Sequence, residues 1–285
     1  MTLPLGLTLL VLLAAVMHAG WNVMVKFGDD ALLNMGLIVG LGGLIALCVT
    51  PFVLFPARPS WIYLAGSALT HLGYYTFLVS AYRHGELSQV YPIARGSAPL
   101  LVAVLASLLP PHETLTPLQM FGVLSISIGI LSLAIDKPIG REHKWTPIVF
   151  GLLTGLTIMG YTWCDGQGIR HAGDLEGQQL GYITWLFVVD APLLAIYCLW
   201  QRGPAALSFI RTNWKLGLCG AALSLAAYGI AISAMRYGPF AHVSALRETS
   251  VIFAALMSAY LLKERFRKRR YVSVSLVALG AVLLH

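Results

Sequence analysis

The sequence predicts an all-α polytopic membrane protein whose ten transmembrane helices form two inverted-topology five-helix repeats. Three observations carry that prediction. Of 285 residues, 58% are hydrophobic and 11% charged, and the mean hydropathy of +0.76 exceeds what a water-soluble fold of this size tolerates. Apolar stretches of about 20 residues, long enough to cross a bilayer, follow one another along the chain and leave no room for a soluble domain. The second half of the chain repeats the first.

The apolar runs fall at 3–26, 31–55, 61–82, 88–109, 116–135, 146–168, 178–200, 215–237, 241–263 and 269–285. Each reads as a helix, because an unpaired backbone group in lipid is expensive and the runs are too long and uniform for barrel strands. The first run lacks a preceding basic region and continues through Trp21 and Asn22 with no small-residue cleavage site, so it reads as a retained helix. Pro110, Pro111 and Pro239 mark helix boundaries, while Pro92, Pro99 and Pro192 lie inside spans and should kink them or free carbonyls. Gly36 with Gly40, and Gly151 with Gly155, have the spacing that lets helices approach closely. Cys48, Cys164, Cys198 and Cys219 show no metal-ligand spacing and read as small buried hydrophobes. No metal or cofactor is expected.

The repeat is carried by particular residues. Ser80-Ala81-Tyr82-Arg83-His84-Gly85 matches Ser233-Ala234-Met235-Arg236-Tyr237-Gly238, each at the end of a span. Glu113 and Gly129 are sixteen residues apart, as are Glu264 and Gly280. Gly20-Trp21 aligns with Gly160-Tyr161, and Gly28 with Gly168. The chain therefore divides into a first repeat over 1–135, a linking loop over 136–145 and a second repeat over 146–285. Five is odd, so the second copy enters the membrane from the opposite side, which places a substrate site near the midplane between the halves.

Ten spans in two five-helix units, a glutamate after the fourth span of each (Glu113 and Glu264) and a Gly-containing fifth span resemble the EamA-type drug/metabolite transporter superfamily. His18-Ala19-Gly20-Trp21-Asn22, Tyr91-Pro92-Ile93-Ala94-Arg95-Gly96 and Tyr161-Thr162 through Asp165-Gly166 resemble a ten-helix bacterial branch of it. The resemblance covers the whole chain and implies a multi-pass protein of the bacterial inner membrane. It does not supply a substrate, because members similar in fold carry amino acids, nucleotide sugars and other metabolites.

Ionisable groups inside a span are costly and point to function. Arg95 lies in span four, and Arg247 with Glu248 lies at nearly the same depth in span nine. The repeat alignment sets Arg95 opposite Glu248, so these spans should wall one cavity. An Arg95–Glu248 ion pair locking the halves is one reading; substrate contact through the arginine forks, which suit carboxylate or phosphate, is the other. His18 and Asn22 share a face of span one, with Trp21 beside them and Lys26 a turn further. His18 could bind substrate, carry a coupling proton or hydrogen-bond a neighbouring helix. Tyr91 completes the pocket. Tyr161, Trp163 and Asp165 in span six, and His71, Tyr74 and Tyr75 in span three, offer ring faces for a ligand or belong to an aromatic belt. Asp190, two residues before Pro192, could accept a proton, pair with Arg247 or cap donors near the proline.

The net charge is +7, but its basic residues sit mostly in loops and imply no nucleic-acid partner. Fourteen of them fall in the loops after odd-numbered spans and three, Arg58, Arg170 and Arg236, on the other side. By the positive-inside rule both termini face outward, whereas the resemblance implies cytoplasmic termini; an even span count puts both on one side either way. The Lys263–Arg270 cluster could also anchor to anionic lipid.

The expected function is a secondary transporter, an exporter or exchanger of a small polar metabolite such as an amino acid or organic anion, working by alternating access. Arg95 and Arg247 would hold the acid group. An exporter of cationic or lipophilic drugs, with Asp165, Asp190 or Glu248 as counter-charge, is the alternative. No nucleotide-binding loop of the GxxxxGK[ST] type is present, no catalytic constellation emerges, and the protein is not expected to be an enzyme. Membrane lipids and a small-molecule substrate are the expected partners, with proton coupling and a homodimer left open.

Overall fold

The computed structural model describes residues 3–25, 30–84, 87–110, 112–136, 145–175, 177–261 and 268–284. Lys26, Gly28, Gly85, Pro111, Glu264 and most of the Lys263–Arg270 cluster lie outside them. Every regular element among the described residues is helical. The first repeat comprises α1 (Leu5–Val25), α2 (Ala31–Val49), α3 (Trp61–His84), α4 (Leu87–Leu108) and α5 (Pro117–Leu131). The second comprises α6 (Thr146–Arg170), α7 (Gln178–Arg202), α8 (Pro204–Tyr237), α9 (Phe240–Arg247) with α10 (Ser250–Leu261), and α11 (Lys268–Leu283). Among the described residues eight segments are long and apolar enough to cross a bilayer. The exceptions, α3 and α11, complete ten columns.

Local chemistry sets several ends. Asp30 caps α2 by accepting from the N–H groups of Leu32 and Leu33. Thr116 and Gln119 form a reciprocal capping box at α5, with Pro117 at its first position. Pro239 precedes α9, as its sequence position predicts. The helices α4 and α7 run on through Pro92, Pro99 and Pro192.

Two spans depart from expectation. Span eight begins at Pro204 rather than 215; Arg211 and Lys215 interrupt the apolar run, but helix formation near the interface needs no unbroken apolarity. At 34 residues, α8 is about 51 Å long, well beyond the hydrocarbon core. Span nine breaks at the charged pair. From Glu248 to Ile252 the backbone switches to i→i−3 bonds, Glu248 N to Ala245 O at 3.1 Å through Ile252 N to Thr249 O at 2.9 Å. That tight turn separates α9 from α10, a common signature of a hinge in a helix.

The packing obeys the internal symmetry. Contacts of α3 with α6 mirror those of α8 with α1, and contacts of α4 with α6 mirror those of α10 with α1. The self-matched pairs α2 with α7 and α5 with α11 lie at the repeat boundary. Glycine makes the second closure tight: a Cβ at Gly129 would lie 3.0 Å from the Ser273 carbonyl. Likewise, a Cβ at Gly151 would lie 2.9 Å from Ile93, as the small-residue spacing anticipates. All four cysteines are free, with Cys48 and Cys219 exposed rather than buried; an exposed face of a membrane helix meets lipid, so these two positions need no protein partner.

Alternation of the spans gives the bundle two ends. The terminal end holds Leu3, Leu284 and the turns at 50–60, 109–116, 171–177 and 238–239. The opposite end, called the basic end after the sequence count of its charges, holds Asp30, Arg202 and the start of α8 among the described residues.

Candidate central binding site

Span four brings Arg95 inward from α4 and the hinge brings Glu248 to meet it. Arg95 Nε lies 2.9 Å from Glu248 Oε2, with both side chains buried. The repeat register foresees this juxtaposition. Arg95 Nη2 also lies 3.0 Å from His18 Nε2 on α1, and its guanidinium sits 5.8 Å from the Tyr91 ring centre. The other ring nitrogen, His18 Nδ1, accepts from the Trp21 indole at 3.3 Å. Trp and Arg are donors only, and a neutral imidazole has one lone pair, so a donor at this junction remains unsatisfied. Asn22 is turned to its own helix, its amide donating to the His18 carbonyl at 2.7 Å.

Arg247 lies beside this pair. It is 2% exposed, and neither Nε nor Nη2 has a hydrogen-bond partner. Its guanidinium lies 5.4 Å from the Tyr228 ring centre on α8 and interacts electrostatically with Tyr161. Buried donors of a charged group are rarely left unpaired, since each lost hydrogen bond to such a group costs about 1.5 to 3 kcal/mol. Arg95 Nε and both Glu248 oxygens likewise make no hydrogen bond, so the Arg95–Glu248 contact is an ion pair without hydrogen-bond geometry.

Aromatic rings pack beside these charges. His71 stacks on Tyr161 at 4.1 Å and 13°, Tyr74 meets Tyr161 edge to face at 6.0 Å, and Tyr228 meets Tyr161 at 6.3 Å. The high polar content of α3 follows from this placement, for Ser67, His71, Tyr74 and Tyr75 lie on it. Behind the rings, Asp165 is wholly buried and accepts from the Tyr228 hydroxyl and, at 3.5 Å, from Tyr182. Asp190 accepts from Tyr75 at 2.8 Å rather than pairing with Arg247, and its Oδ1 is unpartnered.

Of the residues singled out in the sequence, Arg95, Arg247, Glu248, His18, Tyr91 and Tyr161 converge directly, with Asp165, Asp190 and Tyr75 joined to them through tyrosines. Asn22 lies beside the cluster without facing it. Trp163 stands apart, its ring against Tyr63 at 5.9 Å, because residues two apart on a helix point to different faces. Sequence reasoning missed Tyr228 and Tyr182. A lone tyrosine hydroxyl amid the apolar run Leu225-Ala226-Ala227-Tyr228 was the available signal. Among the described residues no group of His, Cys, Asp and Glu could hold a metal ion.

Comparisons with known proteins agree with this architecture. The model of the EamA-like transporter family matches twice, over residues 6–135 and 146–285. No curated protein matches the chain. Among solved structures the chain is similar to a crystal structure described only as that of a protein, 17% identical, with 98% of this chain and 97% of that one covered and a TM-score of 0.75. At that identity the likeness speaks for the fold alone.

Proposed function

The chain belongs to the EamA-like transporter family, and from that premise we propose that it is a secondary transporter of a small acid-bearing metabolite, such as an amino acid or organic anion. It is a multi-pass membrane protein of a family of transporters rather than enzymes. The proposal places it in the bacterial inner membrane as an exporter or exchanger working by alternating access of the two repeats.

The carrying observation is Arg247, a buried guanidinium with two nitrogens that no protein group satisfies. A carboxylate or phosphonate would supply two parallel acceptors to that fork. Arg95 is ion-paired with Glu248, so Arg247 makes the first contact, and Arg95 joins only if the substrate loosens its ion pair. The hinge beside Arg247 supports the same reading, since broken helices commonly form transporter sites.

A second reading rests on its own observation. Asp190 Oδ1 is buried and unpartnered, and tyrosine faces lie nearby, an environment suited to an organic cation. A thermal-shift comparison of wild type and Arg247→Gln separates the two, using L-amino acids, phosphonates, inorganic phosphate and tetraalkylammonium ions as probes. A ligand binding only the folded state raises its melting temperature by mass action. Stabilisation of wild type alone by acids or zwitterions is the expected outcome. Stabilisation of both forms by cations alone would replace this function with that of a cation exporter.

A further inference from the structure

The terminal end carries a cluster of polar bonds that the central site does not use. Arg170, at the last position of α6, gives its Nη2 to Glu113 Oε1 at 3.2 Å and to the Gly238 carbonyl at 2.8 Å. Its Nε donates to the Met235 carbonyl at 3.0 Å. The other Glu113 oxygen accepts the Phe240 N–H, the first of α9, at 2.7 Å. The Arg170 guanidinium also covers the Phe240 ring at 3.9 Å, and the Gln167 amide donates to the Pro110 carbonyl. Glu113 and Pro110 belong to the first repeat, the rest to the second. One guanidinium thus ties the α4–α5 turn, the end of α6 and the α8–α9 turn together.

Phe240 is the plug of this arrangement. It is wholly buried, and its ring fills a slot that exists because residue 166 is glycine: a Cβ there would lie 2.6 Å from the ring. On α9, Phe240 and Arg247 are the first and last residues. Seven residues correspond to about 10 Å along a helix. A rigid eight-residue helix is therefore held at one end by the latch and carries the unpaired binding arginine at the other, beside the hinge at 248–252.

We infer that α9 is the gate of the terminal end, held shut by the Glu113–Arg170–Phe240 latch and opened by pivoting at the 248–252 turn. The inference rests on the alternating-access reading. A substrate drawn to Arg247 would bear on the helix whose far end the latch restrains, which couples occupancy of the site to release of the gate. Glu113, Arg170 and Phe240 are positioning residues, since none touches the central cluster.

The test is a distance measurement between spin labels at Leu118→Cys on α5 and Tyr237→Cys on α8, both exposed positions that straddle the latch. It is made on purified protein with Cys48, Cys164, Cys198 and Cys219 replaced by alanine. The parent should give a single short distance. Glu113→Gln should add a longer one, raising the ratio of open to shut forms by about tenfold or more, the order expected from losing a charge-assisted hydrogen bond. Arg170→Lys keeps the charge but cannot bridge three acceptors with one planar fork, and should fall between the two. If Glu113→Gln does not yield folded protein, Arg170→Lys decides alone. Unchanged distances in the variants that fold would overturn the gate. These distances need no substrate, so a gate that opens in a protein that binds none of the thermal-shift probes would sink the transport assignment and leave the latch standing.

Discussion

The two ends of the bundle answer the same problem with opposite chemistry. The alignment that sets Gly28 against Gly168 also sets Asp30 against Arg170, and both residues make an ion pair across the repeats. At the terminal end Arg170 and Glu113 are 23% and 8% exposed, and the arginine is further bound by two backbone carbonyls. At the basic end Arg202 meets Asp30 at 2.7 Å with 43% and 25% exposure. Burial makes the first pair costly to break, because the Glu113 carboxylate would lose its partner where little water can replace it. Water competes directly for the second, and such pairs contribute little. An inverted repeat thus supplies two structurally equivalent ends whose strengths differ, and a transport cycle needs the stronger one to be releasable.

The largest effect that would break this comparison comes from Arg170→Ala. It strands the Glu113 carboxylate and two carbonyls, and should destabilise the protein by about 3 kcal/mol or more. Thermal unfolding in detergent checks it, and a melting temperature equal to the parent's would mean the terminal lock carries no strength. Glu113→Gln should cost less, about 1 to 3 kcal/mol, because a neutral amide still offers one oxygen, to Phe240 N–H or to Arg170, and leaves no buried charge stranded.

Next in size is a difference in pH response. Burial pushes the Glu113 carboxyl above the ordinary carboxylate range despite Arg170 and the Phe240 N–H. Slight burial also pushes Asp30 up, but Arg202 and the N–H groups of Leu33 and Leu32 outweigh it and hold Asp30 below that range. A raised folded value means the folded state takes up its proton first, so Glu113 costs stability as pH rises from the ordinary carboxylate value through its own. The Asp30 contribution is present above the ordinary value and lost as pH falls below it. The gap between wild type and Glu113→Gln should therefore widen on acidification through the Glu113 range, whereas the gap between wild type and Asp30→Asn should shrink as pH falls below the ordinary carboxylate value. Parallel melting curves across a pH series read these opposite signs, and a Glu113→Gln gap that shrinks on acidification would contradict the burial contrast.

The smallest expected effect is at the basic end itself. Asparagine caps a helix as well as aspartate, so Asp30→Asn should melt close to the parent, and raising the salt from 0.15 to about 0.5 M should erase what difference remains. A large, salt-resistant loss would show that the exposed pair is as strong as the buried one.

Much of this was legible in the residues. The positions of most spans follow from apolarity, since lipid leaves the backbone no alternative to the helix. The Arg95–Glu248 pair follows from the repeat register. Arg170 and Arg236 were legible only as minority charges in a topology count, yet each is held by specific partners, Arg236 by Asp174 at 3.1 Å and the Ile169 carbonyl at 3.3 Å. The hinge was hidden because Arg247-Glu248-Thr249 lies in an otherwise continuous apolar run, and nothing local shows that its hydrogen bonds shorten to i→i−3.

By itself, then, the sequence determined that the chain is helical, membrane-spanning and duplicated, because periodic apolarity and internal likeness are local properties of the chain. Only the tertiary structure decided which polar groups are satisfied. Tyr228 reaches Asp165, Tyr75 reaches Asp190 and Glu113 reaches Phe240 across long stretches of chain. Arg247, surrounded by the same kinds of side chain, is left with nitrogens unmet. A donor's need for a partner is written in its residue type, but whether the partner arrives depends on the packing of helices far apart in sequence.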